Sequence, residues 1–265
     1  MYLASAIQME SEINNEEKNI TKGLSMIDSA AKKGAKVICL PELWSCGYYL
    51  SKEYIRCHAK HVKGSFIKML QRIAFEKNVI LIVPFPEIEN DNIYVSTIVI
   101  DDDGNISGKA QKSFLWGDEK DIFTPGQLQF PIFKTSVGNV GVLICYELEF
   151  PEPSRIQALL GADIIFAPSV WSKGAEERWD IQLPARALDN QIYVMGINAV
   201  GGNACGKSKL IDCYGQIKEE CPKDSEHILL AVVETEKIKE ARETIPYLHD
   251  LPPSLKPLPF VKNGK

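Results

Sequence analysis

Glu42, Lys112 and Cys145 are residue types that complement one another for hydrolysis. A cysteine attacks a carbonyl or nitrile carbon as its thiolate, so it needs a base to take the proton. A partly desolvated carboxylate can be that base. A lysine ammonium beside the developing oxyanion stabilises the tetrahedral intermediate, and the backbone N–H after the cysteine is a second donor. Each of the three residues stands just beyond an expected strand, so one fold can bring them to the same sheet edge. Taken alone, Cys145 also fits a buried structural thiol. A Cys–His pair assembled from distant parts of the chain likewise stays open at this point. The matching placement of Glu42 and Lys112 is what favours the nucleophile.

The elements that must position these side chains are legible around them. Residues 140–144 form an apolar, β-branched run of buried-strand length, ending on Cys145. Acidic residues follow, then Pro151 and Pro153, which suit a turn and the first positions of a helix. A strand over 36–40 leads to Pro41 and Glu42. Residues 93–100, 101–105 and 106–111 read as strand, turn and strand, with Lys112 ending the second arm.

Before these come an opening strand to Gln8 and a helix capped by Asn14 and Glu17, with Ile20, Leu24, Ile27 and Ala31 facing inward. A second helix starts from Ser65 as cap, with Phe66, Met69, Leu70 and Ile73 inward. A strand over 79–83 is closed by Pro84 and Pro86. The second half repeats the rhythm: a helix at 153–160, a strand at 163–166, a helix at 176–189 kinked at Pro184, and a strand at 192–197. Strands at 207–212 and 228–233 precede a helix at 236–242. From about residue 246 to Phe260 the chain holds five prolines and reads as extended. Its Leu251, Leu255, Leu258 and Phe260 are expected to pack along the subunit or a partner. Alternating strands and helices indicate a layered α/β protein, with residues 1–265 as one domain.

Composition narrows the function classes. An apolar content of 45% with 25% charged residues is that of a globular chain. The net charge of −5 gives no electrostatic case for nucleic acid or an anionic membrane. No apolar run approaches the roughly 20 residues of a membrane helix, and the N-terminus lacks the basic region of a signal peptide. Seven scattered cysteines without a CxxC pair point to reduced thiols in a cytoplasm rather than a disulfide framework. Four histidines without ligand spacing leave no metal site to expect, so the chemistry falls to side chains.

Three stretches then carry a family resemblance. Leu40-Pro41-Glu42-Leu43-Trp44-Ser45-Cys46-Gly47-Tyr48 resembles the glutamate motif of the nitrilase superfamily, the carbon–nitrogen hydrolases. Gln111-Lys112-Ser113-Phe114-Leu115-Trp116-Gly117-Asp118-Glu119 resembles its lysine motif, and Gly141 through Cys145-Tyr146-Glu147 to Glu152 its cysteine motif. Arg186-Ala187-Leu188-Asp189-Asn190 and Asn198 also fall where the family has a similar helix and strand, so the likeness covers nearly the whole chain. It implies a four-layer α-β-β-α sandwich, homodimers or higher homo-oligomers, no cofactor, and hydrolysis of non-peptide C–N bonds through an acyl-enzyme.

Carried over by position, Glu42 is the general base, Lys112 the oxyanion stabiliser and Cys145 the nucleophile. Glu119 matches a second glutamate that orients substrate and nucleophile in amidase-type members. Phe114 and Val95 depart from the family pattern at non-catalytic places. Glu147 stands where aspartate is commoner and reads as a structural acid bonded to the loop. Tyr146 directly after the cysteine resembles the amidase-type branches rather than nitrilases proper.

Tyr48, Trp116, Tyr146 and Trp171 are the substrate-pocket candidates, and core packing is an equally open reading of Trp171. No arginine is placed to receive a substrate carboxylate. The expected reaction is hydrolysis of a small aliphatic or amino-acid-derived carboxamide to acid and ammonia. A nitrilase, an N-carbamoyl-amide hydrolase and a non-catalytic binding protein are the rival readings.

Overall fold

The computed structural model describes residues 1–49 and 51–256. Its first half is β1 (Tyr2–Gln8), α1 (Glu16–Lys32), β2 (Val37–Cys39), α2 (Lys52–His58), α3 (Ser65–Lys77), β3 (Ile80–Glu89), β4 (Asn92–Ile100) and β5 (Ile106–Gln111). Then follow α4 (Glu119–Ile122), β6 (Ile132–Thr135), β7 (Gly138–Val142), α5 (Pro151–Leu159), β8 (Ile164–Ser169), α6 (Glu176–Asn190) and β9 (Tyr193–Asn198). The remainder is β10 (Val200–Gly201), β11 (Ala204–Cys205), β12 (Lys209–Ile211), β13 (Ile217–Glu220), β14 (His227–Val233), α7 (Thr235–Thr244) and α8 (Tyr247–Asp250).

Two six-stranded sheets result, ordered β14-β1-β2-β3-β4-β5 and β13-β12-β9-β8-β7-β6. Side-chain alternation explains how they stack. In β2 and its continuation, Val37 and Cys39 face one cluster while Ile38 and Leu40 face another. In β8, Ile164 and Phe166 join the cluster shared with Val37 and Cys39, whereas Ile165 and Ala167 turn to a third. The shared cluster is therefore the seam between the sheets. Ile27 of α1 and Leu70 of α3 cover the outer face of the first sheet. Ile156 of α5 and Leu183 of α6 cover that of the second. The order of layers is α-β-β-α, as the resemblance implied. Among the described residues no helix is long and apolar enough to cross a membrane.

Strand direction decides where function can sit. β1, β2 and β3 run parallel, as do β7, β8 and β9. β5 is antiparallel to β4, itself antiparallel to β3, so β5 ends on the same edge as β2. The residues after β2, β5, β7 and β8 thus emerge where open parallel sheets place ligands.

The structure corrects several expectations. β3 does not close at its prolines but runs through Pro84 and Pro86 to Glu89. Lys60 N–H donates to the Pro86 carbonyl, and Ile88 N–H to that of Lys60, on the β2 side of the strand. The prolines share that orientation, beyond the point where β2 stops, so their missing N–H groups break no ladder. The first helix is capped by Asn15 rather than Asn14, which takes φ 62° just before it. Gly64 is the N-cap of α3, and Ser65 is its first residue. The tail is not wholly extended: Tyr247–Asp250 and Pro253–Leu255 form helical turns, and Leu248 packs on the outer cluster of the second sheet. Leu258 and Phe260 lie outside the described residues. Helices α2 and α4 and strands β6, β10, β11 and β13 were not foreseen.

Candidate active site

Glu42 leaves β2 through a tight turn in which Leu43 takes φ 50° and its carbonyl accepts the N–H groups of Cys46 and Gly47. Trp44 anchors this turn against α1. A Cβ at Gly23 would lie 2.3 Å from the Trp44 ring, so the helix passes only because glycine is there. Glu42 ends up 1% exposed.

Cys145 opens the 3-10 turn Cys145–Glu149 with φ 50°. A left-handed conformation costs a non-glycine residue about 1–2 kcal/mol, and surrounding bonds must hold it. Glu147 supplies them. Its Oε2 accepts the Ile144 N–H at 2.8 Å and its Oε1 the Ser113 N–H at 2.6 Å. One carboxylate thereby ties the residue after Lys112 to the residue before Cys145, which is the structural part read from the sequence.

Burial pushes the Glu147 carboxyl up to about 7, against those two N–H donors. Between the usual carboxylate range and about 7 the folded chain therefore holds the extra proton, and the wild type loses stability as pH rises through that window. Glu147→Gln has no such titration. Its deficit in Tm should be widest near pH 5 and narrow toward pH 8; a deficit that widens with pH would contradict the assignment.

Lys112 follows β5 and is fully buried. Its Nζ donates to Glu42 Oε1 at 2.7 Å and to Glu119 Oε1 at 2.8 Å. Glu119, the first residue of α4, also accepts Tyr48 OH at 2.8 Å through Oε1 and the Trp116 N–H at 2.8 Å through Oε2. From the second sheet, Val170 N–H donates to Glu42 Oε2 at 3.2 Å. The three expected residues and Glu119 are thus brought together.

Their electrostatics follow from that packing. Burial works against the Lys112 ammonium, but Glu42, Cys145 and Glu119 outweigh it and hold the lysine charged. Desolvation pushes the Glu42 carboxyl above its ordinary range, although Lys112 pulls the other way. Burial and the Glu42 charge push the Cys145 thiol well up, with Lys112 and the Val170 N–H opposing. At rest Cys145 is therefore a thiol beside the Glu42 carboxyl, not a free thiolate.

Cys145 keeps a partly exposed face in a cleft of about 780 Å³. Tyr48, Trp116 and Tyr146 line it as expected, with the Trp116 and Tyr146 rings 4.9 Å apart. Trp171 lines the cleft too and is also packed. It is 3% exposed, its ring lies 5.2 Å from Trp179, and its Nε1–H donates to the Ala175 carbonyl.

Sequence reasoning missed Val170, whose contribution is a backbone N–H with no residue-type signal. It gave no part to Asn198, whose side chain accepts the Trp171 N–H at 2.7 Å, donates to the Trp171 carbonyl at 3.2 Å, and so fixes the Val170–Trp171 segment. It also did not place Arg178, which lines the cleft beside Glu149. The strand end before Val170 was the available hint for the first of these.

The chain is similar to known proteins along most of its length. The carbon-nitrogen hydrolase family model matches residues 3–243. A probable nitrilase of Schizosaccharomyces pombe is 30% identical over 90% of this chain and 91% of its own. An omega-amidase of Mus musculus is 28% identical over 87% and 88%. The structure of Nit3 of Saccharomyces cerevisiae, a member of branch 10 of the nitrilase superfamily, superposes with TM-score 0.86 at 26% identity, covering 92% of this chain and 94% of that one.

Proposed function

The chain belongs to the carbon–nitrogen hydrolase family, and from that premise we propose that it hydrolyses a small aliphatic or amino-acid-derived carboxamide to a carboxylate and ammonia through an acyl-enzyme on Cys145. The observation that carries this reading is the Lys112 Nζ held between Glu42 and Glu119 behind a cysteine that faces the cleft.

Glu42 takes the thiol proton as Sγ bonds to the amide carbon. The oxyanion meets the Lys112 ammonium and the N–H of Tyr146. The C–N bond breaks as Glu42 delivers its proton to the leaving nitrogen, giving ammonia and a thioester. Water then loses a proton to Glu42 and attacks the thioester. The second oxyanion collapses to the acid, and the proton returns to Sγ. Glu119 holds Lys112, Tyr48 and the Trp116 backbone in place and orients the amide. In this reading residues 1–265 are one domain, acting in the cytoplasm as a homodimer or larger; sedimentation as a monomer would count against the last point.

The test is ammonia release from a panel of aliphatic amides, nitriles and N-carbamoyl compounds, with mass spectrometry of the quenched enzyme. Amide turnover with an acyl adduct on Cys145 is expected. Because burial raises the Glu42 carboxyl, kcat/KM should fall on the acid side above the ordinary carboxylate range. Turnover of nitriles alone, or of N-carbamoyl compounds with carbon dioxide release, would replace the amidase reading. No turnover and no adduct with any compound would favour a binding protein.

A further inference from the structure

Beyond Cys145 the cleft is walled by charge of one prevailing sign. Among the described residues, Glu10, Glu12 and Glu149 line it together with a single basic side chain, Arg178. That guanidinium is already committed: its Nε lies 3.2 Å from Glu149 Oε2 and its NH2 3.4 Å from Glu149 Oε1. Glu12 is answered by Lys18 from outside the cleft. Glu10 has no ion-pair partner among the described residues, and its carboxylate rests against the backbone of Gly201. At the floor, Glu42 is matched by Lys112. Among the described residues the cleft therefore offers an incoming anion no unpaired cation, and offers an incoming cation the carboxylate of Glu10 and, once its pair with Arg178 opens, that of Glu149.

Of these two, Glu149 is the better built. It closes the 3-10 turn that Cys145 opens, so its distance from the nucleophile is set by one short element. Its side chain is 19% exposed, whereas that of Arg178 is 48% exposed. A carboxylate that has lost most of its water gains more from a cation than one in open solvent. Arg178 is a long, solvated partner at long distances, and the ammonium of a bound substrate can replace it.

Resting on the amidase reading, we propose that the substrate is a compact carboxamide bearing an ammonium group, which Glu149 receives in exchange for Arg178. Glu149 is then the residue that sets specificity, and the cleft discriminates against carboxylate-bearing amides because they meet carboxylates there.

The test compares three amides of matched length on the full chain: 4-aminobutyramide, pentanamide and the monoamide of glutaric acid. At low salt kcat/KM should rank in that order, with about a tenfold advantage of the first over the second. The advantage should lie in KM and shrink at high ionic strength, which reads the native enzyme without any substitution. Glu149→Gln should bring the ratio of the first two near unity. Arg178→Gln should raise it, because the carboxylate is released. Opposite signs are the point, since a purely structural ion pair would give both variants the same direction. Pentanamide turned over as well as 4-aminobutyramide overturns this inference and leaves the amidase reading intact, as does preference for the glutaric monoamide lost in Arg178→Gln. Failure of all three amides overturns both.

Discussion

Cys145→Ala should release no measurable ammonia from any amide the native enzyme turns over, a loss of about 10⁴-fold or more. The size follows from the mechanism: without Sγ there is no covalent step, and Glu42 has no nucleophile to deprotonate at that place. The fold should survive, because Cys145 is a small, partly exposed side chain and its strained turn is held by Glu147, not by the thiol. Unchanged thermal unfolding alongside lost turnover, with no acyl adduct in the quenched protein, is the expected pair of results. Turnover close to the native rate in this variant would mean that a directly activated water, and not Cys145, is the attacking group.

Lys112→Met should be less damaging to activity than Cys145→Ala but far more damaging to stability. Loss of an oxyanion donor lowers rates by about 10²–10³, and here both acylation and deacylation pass through an oxyanion. The structural cost arises because Nζ bridges two buried carboxylates, at 2.7 and 2.8 Å. Removing one partner of a buried ion group costs about 3–5 kcal/mol, since Glu42 and Glu119 are left facing each other uncompensated.

The pH dependence has a definite sign. With the ammonium gone, the Glu42 carboxyl, already pushed up by burial, loses the charge that pulled it down. The folded chain then holds a proton above the unfolded carboxylate range, and stability is lost as pH rises. The Tm gap to the native protein should narrow toward pH 5 and widen toward pH 8. Single-turnover kinetics at the acid end, where the variant is folded, then isolate the catalytic loss. A gap independent of pH would show that the carboxylates do not depend on Lys112 in this way, and acyl-enzyme formation at the native rate would remove Lys112 from the reaction.

The sequence by itself determined which chemistry was available and roughly where along the chain it lay. Glu42, Lys112 and Cys145 were legible because residue type is local information and each follows an apolar run whose period marks a strand. The structural part of Glu147 was legible for the same reason: an acid two residues past a strand-ending cysteine has backbone N–H groups within reach.

What only the tertiary structure decided depends on pairing across long separations. Lys112 meets Glu42 across 70 residues, and Val170 N–H meets Glu42 across 128. The second contact joins one sheet to the other through a backbone donor that no side chain announces. Trp171 read equally as wall or core, and it lines the cleft while its ring packs on Trp179 of α6, because burial depends on neighbours from elsewhere in the chain. Pro84 and Pro86 looked like the end of a strand, yet a proline breaks a ladder only where a partner waits for its N–H. Whether one waits is fixed by where β2 stops, a fact of sheet geometry rather than of the residues themselves.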